Sequence, residues 1–405
     1  MNARALVPAL LALTALNGCG DSTTSGLVVK PVQSLAPCAS TTERAPPLRP
    51  AVLAILRLPA PASDVLATRN GWWFVSAAGQ VDVLDGSART PVLIRQVPLP
   101  AGLAAGAHRL ALTPDGRHLL VAAGSGAVVI DVARAENGGG SPVLGRLQSP
   151  ASTPTPEAGA GAIAISNDSQ FAFVARSRAG GVAVFDLHAA LTSGFTSSGF
   201  IGVVPVGLGP VGLAMGPGGV RLYATALAPM PRYGPRVTLA AQSPARSPSA
   251  GGVLSVIDVA SAERSPRTAV LRSVIAGCEP IGVSTSPDGR YVWVAAVGDH
   301  SLLGFDAREL LRRPRGSLRA AVRLGTAPSG VVALPSGALL VTDPTPSGGL
   351  TVLSASAALA HRPAVTGVLR AQTGTAAVAA DPDRRGVLVA YSGFPDVELL
   401  RTPTP

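Results

Sequence analysis

Between residues 65 and 401 one phrase recurs seven times, and a repeat of this length restricts the chain to an array of similar, mutually packed units. The phrase is a short apolar strand, a turn rich in Pro, Asp, Asn or Gly, a second strand, a loop, and a third strand that usually ends in Asp. It is clearest at residues 110–113, 119–122 and 128–131, with Pro114-Asp115-Gly116 as the turn. The positions closing each copy are Asp85, Asp131, Asp186, Asp258, Asp306, Ser354 and Arg401, spaced by 46, 55, 72, 48, 48 and 47 residues. A base period near 47 with two insertions suits the four-stranded blades of a β-propeller. A fourth strand follows each of the first six copies, at 92–97, 143–147, 201–206, 270–275, 320–324 and 365–369. The chain stops before a seventh can form. Residues 51–57, at the other end, resemble 365–370 and are expected to complete the last blade, which hides an open sheet edge. The predicted fold is therefore all-β: a seven-bladed propeller of four antiparallel strands per blade, closed by the N-terminal strand.

Composition agrees. Gly (46) and Pro (37) are abundant and charged residues make up only 14%, as many short strands joined by tight turns require. No apolar run reaches the roughly 20 residues of a membrane-spanning helix. The net charge of +10 rests on arginine, with Lys30 the one lysine. The arginines read as scattered and aromatics are 4%, so the stacking surfaces that nucleic acids need are not expected.

Turn-and-strand phrases such as Ser286-Pro287-Asp288-Gly289-Arg290-Tyr291-Val292-Trp293-Val294 and Leu254-Ser255-Val256-Ile257-Asp258 resemble YVTN-type propeller repeats. Pro210-Val211-Gly212 and Pro280-Ile281-Gly282 fit the same pattern, whereas the sixth and seventh copies depart from it. The resemblance covers about residues 50–402 and implies the fold. It leaves function open, because the architecture hosts binders, scaffolds and enzymes.

At the N-terminus, Arg4, an apolar stretch over 5–16 and Leu16-Asn17-Gly18-Cys19 resemble a bacterial lipoprotein signal. That resemblance implies a signal peptide over 1–18, acylation of Cys19, and attachment to the cell envelope at the outer membrane. Residues 19–50 read as a Ser/Thr/Pro-rich tether and 51–402 as the propeller.

Two regions are candidate binding elements. In a blade, the second-to-third and blade-to-blade connections share one face, here termed upper. The long loop over 226–251 lies there and carries Arg232, Tyr233 and Arg236. The residues preceding the innermost strands are Asp64, Arg109, Ala162, Gly212, Gly282, Gly330 and Ala377. Small residues suit strands crowded about an axis, so the charged pair stands out. Asp64 and Arg109 are expected either to pair structurally or, with His108 and Glu279, to line a polar pocket at the channel mouth. Cys38 and Cys278 are a candidate disulfide in an oxidising compartment, or two free thiols.

No zinc-spaced His/Cys set, GxSxG elbow, phosphate loop or dinucleotide fingerprint is present, and no cofactor or metal is expected. The recurring third-strand Asp residues read as caps or turn formers, and Trp73 and Trp293 as blade packing. The functional expectation is a monomeric envelope lipoprotein that binds a protein, glycan or small ligand without catalysis. The alternative is a propeller lactonase or other hydrolase, with its site at the channel.

Overall fold

The computed structural model describes residues 46–49, 51–77, 79–87, 90–100, 109–123, 125–150, 161–177, 180–229, 237–238, 251–346, 348–370, 374–381 and 386–402. They form seven sheets in which chain order runs from the innermost strand outwards. Blade one holds Ala62–Ala67, Trp72–Ala77, Gln80–Asp85 and Val92–Pro98. Blade two holds Leu110–Leu112, His118–Ala123, Gly126–Asp131 and Val143–Gln148. Blade three holds Ile163–Ile165, Phe171–Ala175, Val182–Asp186 and Phe200–Val204. Blade four holds Leu208–Met215, Arg221–Ala228, Val253–Asp258 and Val270–Ile275. Blade five holds Pro280–Thr285, Tyr291–Ala296, Ser301–Asp306 and Leu318–Arg323. Blade six holds Gly330–Ala333, Ala338–Thr342, Gly349–Ser354 and Val365–Arg370.

Blade seven has three strands from the C-terminal end, Thr375–Asp381, Gly386–Tyr391 and Asp396–Arg401. Its fourth is Val52–Arg57. Ala54 pairs with Leu399 and Leu56 with Val397 in antiparallel register, so the ring closes as the repeat arithmetic predicts. Ahead of this strand, Pro46–Arg49 lies along the outermost strand of blade six: Leu48 N–H donates to Val368 O (2.9 Å), and Val368 N–H donates to Pro46 O (3.0 Å).

The core is the set of seams between blades. Second and third strands are mostly apolar on both faces, and Trp73, Phe74, Phe173, Phe185, Trp293 and Phe305 are fully buried among them. Such strands cannot alternate polar and apolar residues, because each face meets a neighbouring sheet.

Five short helices were not expected: Val132–Asn137 (α1), Leu187–Thr192 (α2), Val259–Arg264 (α3), Ala307–Arg312 (α4) and Ala355–Leu359 (α5). Each follows a third strand and packs on the outermost strand of the preceding blade. The terminal Asp131, Asp186, Asp258 and Asp306 are their N-caps, and Ser354 takes this place in blade six. The carboxylate satisfies a first-turn N–H that has no partner within the helix. In blade four, Val237–Thr238 adds a short parallel strand beside Ser273 and Val274, outside the expected four.

Candidate functional site

The upper mouth of the channel is built from the first residues of the innermost strands. In blades four to six these strands touch backbone to backbone. A Cβ on Gly212 would lie 2.3 Å from Ile281 O, and one on Gly282 would lie 2.8 Å from Gly330 Cα. Only glycine fits at such an approach.

Blades one and two meet differently. Asp64 reaches across the seam, accepting from Leu110 N–H through Oδ2 (2.8 Å) and from Arg109 Nη1 through Oδ1 (3.4 Å). Burial pushes the Asp64 carboxyl above its ordinary value, and the Arg109 charge and the backbone donors offset only part of this. Arg109 keeps 38% of its side chain exposed, against 14% for Asp64. The pair is thus a clasp between blades with its cationic side open to solvent.

Glu279 is exposed, in a turn with φ of 51°, and its side chain makes no hydrogen bond among the described residues. It starts blade five, across the ring from blades one and two, so no contact joins it to Asp64 and Arg109. His108, Arg232, Tyr233 and Arg236 lie outside the described residues, as do Cys19 and Cys38. Cys278 is disulfide-bonded. Its backbone N–H donates to Asp299 Oδ2 (2.5 Å), and burial raises the Asp299 carboxyl.

Polar groups that sequence reasoning missed lie in the seams. Asp381 of blade seven accepts from Trp73 Nε1 of blade one (3.1 Å), joining residues 308 positions apart. Asp82 is fully buried. Its Oδ1 accepts from Gln80 and Gln96 amides (2.6 and 3.2 Å), while Oδ2 has no partner, and burial raises this carboxyl too. Tyr391 donates to Glu398 (2.6 Å), and burial followed by this bond pushes its phenol up.

Six of the arginines are not scattered in space. Residues 307–323 hold six arginines and one acid, Glu309. The fold sets them on α4, the 3₁₀ turn Pro314–Gly316 and the outermost strand of blade five. Arg308, Arg312, Arg313, Arg315, Arg319 and Arg323 are all exposed. None forms an ion pair among the described residues. The signal was present as a local run; reading charge over the whole chain hid it.

Among the described residues no three His, Cys, Asp or Glu side chains converge as a metal would need. No described helix is long and apolar enough to cross a membrane. The architecture and this mouth define the class: a seven-bladed β-propeller whose channel rim is glycine-packed on one side and ion-paired on the other. No family model and no curated protein matches the chain. Among solved structures, a Kuenenia stuttgartiensis hydrazine synthase chain is similar, with a TM-score of 0.60 and 15% identity, over 92% of this chain and 100% of that one. At that identity the likeness concerns the fold alone.

Proposed function

We propose that the protein is an exported, lipid-anchored propeller that binds a protein, glycan or small ligand of the cell envelope and performs no catalysis. The observation carrying this reading is the engagement of Asp64. Its two oxygens hold Leu110 N–H and Arg109, so the one described carboxylate at the channel mouth with a charged partner serves as an inter-blade clasp and not as a free base. Among the described residues, exposed Glu279 has no hydrogen-bonded partner that could make it activate a nucleophile.

The anchor reading rests on Leu16-Asn17-Gly18-Cys19. It bears on the disulfide as well, since the chain has only three cysteines. A Cys19 thiol bonded to lipid is not available for a bridge, which leaves Cys38 as the intrachain partner of Cys278. Non-reducing peptide mapping should yield the 38–278 bridge, and radiolabelled palmitate should enter the wild type and not Cys19→Ala.

Binding is tested with photo-crosslinking residues at Glu279 on the upper face and Asp115 on the lower. The expected result is a discrete adduct from the upper position alone, in intact envelopes. Hydrolysis of a lactone panel that falls on Asp64→Ala or His108→Ala would replace this reading with the hydrolase.

A further inference from the structure

Two observations about the outer rim point the same way. The first is charge. Blade five carries Arg308 and Arg312 one helical turn apart on α4, Arg315 on the following turn, and Arg319 and Arg323 on its outermost strand. The helix packs on the outermost strand of blade four, where Arg272 is also exposed. The same kind of strand in blades seven and one exposes mainly Val52, Ile55, Val92 and Ile94, with Arg57 its one exposed arginine, so a run of arginines is not what the blade architecture requires there. The cations outnumber the acids near them, Glu309 on α4 and Asp299, whose burial-raised carboxyl the Arg323 charge lowers in part, so the patch keeps a net positive field that favours an anion.

The second observation is where the segment ahead of the first strand is seated. Pro46–Arg49 runs along the outermost strand of blade six, and α5 of blade six packs on the outermost strand of blade five. Arg49 is exposed and extends the positive rim. The residues before Pro46, Cys19 among them, lie outside the described ones, and Pro46 is the described position nearest to the proposed anchor in sequence. Cys278, in the link between blades four and five, is disulfide-bonded.

We infer that the basic rim of blades four and five docks on the anionic phospholipid headgroups of a membrane surface. Guanidinium groups match phosphate in geometry and charge, and basic clusters beside an anchored segment add an electrostatic attachment to a lipid one. The ring then stands edge-on to the bilayer, with both mouths of the channel open to the side. This inference rests on the anchored reading for the position of the membrane, while the charge cluster is independent of it.

The mature protein is mixed with phosphatidylcholine vesicles and with vesicles of three parts phosphatidylcholine to one of phosphatidylglycerol, and bound protein is measured by co-sedimentation. The expected preference for the anionic vesicles is on the order of 10- to 100-fold at low salt, and it collapses as salt is raised. Replacing Arg312, Arg315 and Arg319 by Gln together should remove most of the preference, and replacing them by Lys should retain it. A control triple at the exposed Arg57, Arg69 and Arg117 has the same net charge and should leave it intact, with circular dichroism unchanged throughout. Equal binding to both vesicle types, or equal loss in the control triple, overturns the inference. So does tighter binding to a DNA oligonucleotide or an acidic protein than to the anionic vesicles. Palmitate incorporation without an anionic preference refutes the docking surface and leaves the anchor standing. A preference without palmitate incorporation does the reverse.

Discussion

Blades four to six and blades seven, one and two solve the same packing problem in different ways. In the first set the innermost strands meet through Gly212 and Gly282, close enough that a single methyl group would strike backbone. Hydroxyls supplement the contact, as where Thr225 donates to Ile281 O of the next blade (2.9 Å). In the second set carboxylates cross the seams, Asp381 to the Trp73 indole and Asp64 to Leu110 N–H and Arg109. Shape holds one half of the ring, and charge-assisted hydrogen bonds hold the other. A repeat therefore fixes the position of a strand without fixing the chemistry that joins it to the next.

The largest effect should come from the glycine side. Gly282→Val forces a side chain into Gly330 and Ser329, and an unfolding titration should show a loss of about 3 kcal/mol. A cost under about 1 kcal/mol would mean the strands can part, and the contrast between the halves would weaken.

Next is the seam where the ring closes. Trp73→Phe removes the indole donor to buried Asp381, so it should cost about 2 kcal/mol more than Trp293→Phe, which changes volume within the seam between blades five and six. Thermal unfolding of the two variants, scanned under one set of conditions, gives this difference directly.

At the channel mouth, Asp64→Ala leaves Leu110 N–H without its acceptor and should cost about 1–2 kcal/mol. Arg109→Ala should cost less than about 1 kcal/mol, since Arg109 is partly exposed. If the two variants cost the same, the ion pair and not the backbone bond is the clasp.

The smallest effect is a gain. Asp82 has a carboxyl raised above 3.8 by burial. The folded chain therefore holds its proton more tightly than the unfolded chain does. Its contribution is most favourable below pH 3.8 and turns into a cost as pH rises through the folded value. Asp82→Asn lacks this titration and should stabilise by on the order of 1 kcal/mol at pH 7.5. The advantage should shrink as urea titrations are moved toward pH 4.

Much of this ring was legible before any coordinates. The 47-residue period, the turn chemistry and the likeness of residues 51–57 to 365–370 predict seven blades and their closure, as the pairing of Ala54 with Leu399 bears out. Asp64 and Arg109 drew notice because they interrupt a series of Gly and Ala. The helices after Asp131, Asp186, Asp258 and Asp306 escaped, because six residues are too few to display a 3.6-residue period. Only their caps were visible. The Trp73–Asp381 bond was hidden by sequence separation, and Asp82 by the ordinary assumption that a strand carboxylate faces water. Arginines on α4 and on the neighbouring outer strand are brought side by side by a turn whose path the sequence does not state.

The pairing of Val52–Arg57 with Asp396–Arg401 sets a timetable. The first strand of the ring must wait for its last, across more than three hundred intervening residues. Until then the seam between blades six and seven and that between seven and one lack a complete wall, and Trp73 has no Asp381 to meet. A chain cut short by a late stop codon is thus not a smaller propeller but an unsealed one. Its bare apolar flank marks it for aggregation or for proteolysis.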